Sequence, residues 1–139
     1  MAVIIPNASE QLWLKLVLNH TPGEDQVLRL FVNNVTPDQN SIASTFTEAS
    51  GGGYASKTLV GTSWTIVNNA NDEGEATFTV QVFTFTGPLT GTATIFGWYL
   101  VQQTSGLLLA VERIASSFTP STNGDSVTMT PRLQLFSEN

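Results

Sequence analysis

From Gln26 onward the chain alternates with a period of two. Val27, Arg29 and Phe31 fall on one face and Leu28, Leu30 and Val32 on the other, which predicts a strand covered on both sides. Asn33, Asn34 and Thr36 before Pro37 end it. The polar stretch 35–53 reads as a long loop with a short extended piece at Thr45–Thr47, closed by Gly51, Gly52 and Gly53. Two short strands follow, Tyr54–Val60 and Ser63–Asn68, joined at Gly61; Trp64, Thr65, Ile66 and Val67 give the second its β character. Asn68–Gly74 is an acidic turn. In Ala76–Thr86, Phe78, Val80 and Val82 alternate with Thr77, Thr79 and Gln81 until Phe83 and Phe85 take over on the other parity, which predicts a bulge near Val82. Thr92–Gln102 and Leu107–Ile114, turned by Gln103–Gly106, form the best hairpin. After the Asn123-Gly124 turn, Ser126–Phe136 closes the chain with Val127, Met129, Leu133 and Leu135 inward. Pro131 cannot donate to a ladder, so this strand is an edge or is interrupted there.

The N-terminal region carries two periods at once. Leu12, Trp13, Leu16 and Val17 make a helical stripe, whereas Leu12, Leu14, Leu16 and Leu18 alternate as in a strand. A helix over 7–19 is preferred, with Asn7 and Glu10 as a capping pair and Asn19, Thr21, Pro22 and Gly23 as its stop; a first edge strand is the alternative. Residues 1–6 then form an extended arm. Seven or eight strands at spacings of about ten residues, with at most one helix, predict a mainly β, single-domain fold over 1–139, a β-sandwich or jelly-roll.

Composition sharpens this reading. A chain of 139 residues can bury a core, and 41% apolar residues, with eight Phe and three Trp, supply its bulk. Only 12% are charged, about half the usual share, so Thr, Ser, Asn and Gln must cover the surface. Uncharged polar groups lose less hydration when covered than charges do, which favours a protein built to pack against neighbours. The net charge of −6, with Lys15, Arg29, Lys57, Arg113 and Arg132 scattered, argues against nucleic acid and anionic membranes as partners. With no cysteine there are no disulfides and no thiolate chemistry. Met1–Pro6 has neither the basic flank nor the apolar length of a signal peptide, and no apolar run approaches a membrane span.

Candidate chemistry is sparse. Gly51–Thr58 is one residue from a phosphate loop, but Ser56 stands where the second glycine is required and a strand, not a helix, should follow. His20 is the only histidine, and Gly61-Thr62-Ser63-Trp64-Thr65 lacks the final glycine of a nucleophile elbow. Asp72, Glu73 and Glu75 around Gly74 read as a solvated turn without EF-hand spacing. Nothing in the sequence brings Glu112 near another acid. Trp13, Tyr54, Trp64, Trp98 and Tyr99 could stack on sugars, although Trp64 and Trp98 read first as core or interface. The expectation is no enzyme, no cofactor and no metal.

The runs Leu28–Pro37, Thr47–Ala55, Phe83–Gly87 and Ile95–Tyr99, with the closing Phe118-Thr119-Pro120 and Asn123-Gly124-Asp125 turns, resemble a group of small proteins encoded among the structural genes of tailed bacteriophages. The resemblance covers nearly the whole chain and carries no active-site residues. It implies a virion component: a capsid decoration (cement) protein on the capsid exterior, made in the host bacterial cytoplasm, bridging copies of the major capsid protein as a homotrimer. A tail or fibre module that binds a receptor or carbohydrate is the alternative. The expected interface is the arm Ala2, Val3, Ile4, Ile5 and Pro6, with Val35, Pro37 and Tyr54 from the loop and the strand after it.

Overall fold

A computed structural model describes residues 3–18, 23–71 and 73–135. The N-terminal segment is the helix α1 (Asn7–Val17), which buries Leu12 and leaves Leu14 and Leu18 in solvent, so the helical stripe prevails over the alternation of leucines. The expected Asn7/Glu10 capping pair does not form. Pro6 holds the N-cap in extended conformation with no side-chain cap bond, and proline's fixed φ sets the entry instead. The predicted stop at Asn19–Pro22 lies outside the described residues, and the helix closes on Leu18, whose N–H donates to the Leu14 carbonyl at 3.0 Å. Ser9, fully buried, fixes α1 by donating to the carbonyls of Leu108 and Leu109, both at 3.1 Å.

Nine strands follow among the described residues. β1 (Gln26–Phe31), β2 (Lys57–Leu59), β6 (Ile95–Gln102) and β7 (Leu108–Phe118) make an antiparallel sheet in the order β2-β1-β6-β7. β3 (Thr65–Asn68), β4 (Gly74–Thr77) and β9 (Arg132–Leu135) make a second, and β5 (Gln81–Thr84) pairs with β8 (Ser126–Met129). The fold is mainly β, with antiparallel sheets and one helix near the N-terminus, the arrangement of a single-domain β-sandwich. The predicted hairpin is β6–β7, and its turn includes Gly106 at φ 69°, a backbone region that favours glycine.

The large sheet is covered on both faces, as the pattern in β1 foretold. Leu28, Leu30, Trp98, Leu100 and Ala110 pack towards α1 and the smaller sheets. Val27, Phe31, Tyr99, Val101 and Val111 pack under the long loop through Phe46, whose ring lies 5.0 Å from Phe31 and 5.4 Å from Tyr99. Burying such aliphatic and aromatic side chains stabilises the fold by roughly 1.5–3 kcal/mol each.

Two expectations change here. Ala76–Thr86 is not one bulged strand, since β4 ends at Thr77 and β5 begins at Gln81 in another sheet. The break faces Pro131, whose carbonyl accepts from the Phe78 N–H at 3.0 Å, and Pro131 likewise separates β8 from β9. The switch of parity thus marks a change of sheet near Phe78–Val80, not a bulge at Val82. The strand expected over Tyr54–Val60 shrinks to Lys57–Leu59 because Tyr54 acts through its side chain: its hydroxyl accepts from the Leu30 N–H at 3.1 Å and donates to Glu48 at 3.0 Å.

Candidate functional site

The residues first expected to form an interface are largely occupied within the chain. Ala2 lies outside the described residues. Val3, Ile4 and Ile5 are half-buried, and Ile4 exchanges two backbone hydrogen bonds with Val111, at 2.8 and 3.0 Å, so the arm is an extra strand segment beside β7. Pro6 and Pro37 are buried, Val35 is half-buried, and the Val35 carbonyl accepts from Arg113 at 2.8 Å. Tyr54 stacks on Phe83 at 5.8 Å, and its burial pushes the phenol pKa up.

An open apolar surface lies elsewhere, on the three-stranded sheet. All four residues of β3 are exposed, Ile66 at 75% and Val67 at 53%, and β3 pairs only with β4. β9 forms the other free edge and exposes Leu135 at 51%. Leu135, expected inward, lies opposite Gly74, which offers no side chain to cover it. Neither β3 nor Leu135 carries a charge, and unpaired strand edges of this kind are templates for pairing with another chain.

The same sheet divides two hollows. Ala76 and Leu133, paired across β4 and β9, face α1 and line an apolar pocket of about 470 Å³ with Trp13 and Trp64. Trp64 is half-buried, its indole N–H donates to Gln26 at 2.8 Å, and its ring meets Phe78 edge-on at 5.2 Å. Trp98 is 2% exposed, a core residue with no face for a sugar.

On the opposite side Glu75, Thr77, Arg132 and Gln134 stand together, because the register sets Glu75 against Gln134 and Thr77 against Arg132. They line an open groove of about 710 Å³ whose other wall holds Glu112 and the arm residues Val3, Ile4 and Ile5. Gln134 donates to Glu75 at 2.8 Å and Arg132 pairs with it at 3.7 Å. Glu112 sits across the β6–β7 ladder from Trp98, and burial raises its pKa above the usual 4.5, partly offset by the Trp98 indole and Arg132. Two carboxylates therefore line one groove with no motif to announce it: they come from β4 and β7, brought to the same hollow only by packing of the two sheets.

Several other acids serve the backbone. Glu24 accepts from the N–H groups of Thr104 and Ser105 at 2.6 and 3.1 Å, and Asp125 from Ser121 and Thr122 at 2.7 and 2.9 Å; these bonds lower both pKa values. Asp25 holds the Gly61 N–H, and Glu48 pairs with Arg29 at 3.3 Å. In the acidic turn Glu73 accepts from Asn69; Asp72 and His20 lie outside the described residues. The triple glycine is a structural turn, with φ of 76°, 56° and 76°, and it leads into β2, where Lys57 covers the Phe83 ring at 5.2 Å. Comparison with protein-family models, curated proteins and solved structures finds no match.

Proposed function

We propose that this chain is a structural virion protein, a capsid decoration (cement) protein that stabilises a phage head by bridging capsomers. The observation that carries the assembly role is β3, an uncharged strand with every residue in solvent and one edge unpaired. A monomer gains nothing from exposing Ile66 and Val67, whereas an assembled protein buries them. The resemblance of the chain to structural proteins of tailed bacteriophages supplies the virion context.

β3 and β9 are the two edges of one sheet, and pairing them between copies offers a route to a homotrimer. Pairing β3 of one copy with β9 of the next is a head-to-tail contact, and such contacts generate rings when the rotation closes. Pairing would also cover Leu135 beside Ile66 and Val67. The low share of charge, 12%, keeps desolvation of the remaining surface cheap where it meets the shell.

Adding the purified chain to undecorated phage capsids and separating bound from free protein by sedimentation tests the reading. The expected result is saturable retention at a fixed ratio to the major capsid protein, together with a higher temperature of capsid disruption. Protein that stays in the supernatant at every ratio would sink it.

A further inference from the structure

The groove beneath β4 and β9 is a second surface, on the face of the sheet rather than along its unpaired edges. We propose that it binds a neutral polyhydroxylated ligand, a saccharide, through Glu75, Glu112, Arg132 and Gln134, with Ile5 and its arm as the apolar wall. The inference is independent of the assembly role, because these side chains point to one face of the sheet and not along its edges.

Three features select that class of ligand. First, the groove offers donors and acceptors side by side: Arg132 and Gln134 donate, Glu75 and Glu112 accept, and Thr77 and Thr130 do both. A hydroxyl group also donates and accepts at once, so a ring bearing several of them matches this lining better than a purely donating or accepting ligand. Second, the charges are compensated. Glu75 is paired with Arg132, so the groove has no cluster of positive charge for a phosphate, and burial disfavours the charged form of Glu112. Third, the groove is shaped and held. Its volume of about 710 Å³ lies within the roughly 300–1,000 Å³ of small-molecule sites, and its polar groups stand on strands whose register fixes their spacing. The Arg132 side chain keeps 55% of its surface exposed while Glu75 keeps 17%, so the guanidinium still has N–H groups to offer. The aliphatic arm residues opposite suit the C–H face of a sugar ring.

A free sugar and a surface-linked glycan present the same hydroxyls, so the test has two arms. Amide shifts of the whole ¹⁵N-labelled chain are followed during titration with neutral hexoses and their α- and β-1,4 disaccharides, and separately with purified bacterial surface polysaccharide. Saturable shifts at Glu75, Thr77, Glu112, Arg132 and Gln134 are expected. Response to the small sugars makes free saccharide the ligand; response to the polysaccharide alone makes it a surface glycan. Glu75→Gln, which keeps the side-chain volume, should weaken binding about tenfold or more. Thr130→Ala, at an exposed position, should weaken it less while leaving the spectrum otherwise unchanged. No shift in either arm, shifts confined to β3 and Leu135, or full affinity in both variants would overturn the proposal.

Discussion

Single side chains decide where strands stop and where charge can sit. Tyr54 replaces a backbone partner: β2 reaches β1 only as far as Leu28, and the next outward N–H, that of Leu30, is satisfied by the Tyr54 hydroxyl. Sequence alternation marks Tyr54 as a strand residue, and only the geometry shows that its side chain does the strand's work. Gly97 is similarly silent in the sequence, yet a Cβ there would strike the Glu112 carbonyl and the Phe31 ring, so the close approach of β6 and β7 depends on it. Glu112 carries a pH dependence whose sign is fixed by its raised pKa. The folded state holds that proton more tightly than the unfolded one, so the contribution is full below about 4.5 and is lost as pH rises through the higher folded value. Glu112→Gln should therefore raise stability at pH 7 and leave it nearly unchanged at pH 4, measured by urea unfolding at both. An equal change at the two pH values would rule out burial of the charge as the cause. Glu24 and Asp125, with lowered pKa values, act in the opposite sense, losing their contributions as pH falls below the usual carboxylate range.

At the scale of elements, periodicity was a good guide where both faces of a strand are buried and a poor one where the chain changes partners. β1 and the β6–β7 hairpin follow from alternating apolar residues and a glycine turn. The split of Ala76–Thr86 into β4 and β5 was visible only as a switch of parity, because sequence shows which face is apolar and not which sheet covers it. Pro131 was the better signal, since a missing N–H interrupts whatever ladder it enters. The groove was illegible for a related reason: Glu75 and Glu112 are 37 positions apart and line one hollow through packing between sheets. The exposed face of β3 was missed because Trp64–Val67 looks like core. Ile66 and Val67 are mostly exposed in the monomer, so replacing both by lysine should change stability by only about 0.5 kcal/mol or less. The same double substitution should abolish self-association, as lysine on an edge strand opposes pairing. Thermal unfolding and native mass of the variant check both halves, and loss of the fold without loss of assembly would mean that β3 is structural.

At the scale of the whole molecule, one chain combines a two-faced core sheet with a small sheet left open at both edges. The core is fixed by the Ile4–Val111 bridge, the Ser9 tether and the Phe31–Phe46–Tyr99 cluster. In the proposed reading, the edges of the open sheet are the ones that other copies or the shell would cover. On the proposed reading the edges act by burying surface, and the groove stays accessible on the other side of β4. The central claim is self-assembly through those edges. Static light scattering of the purified chain across a dilution series measures it most directly. A native mass three times 14.9 kDa, independent of concentration, is the result this account predicts. A mass of 14.9 kDa at every concentration would contradict it.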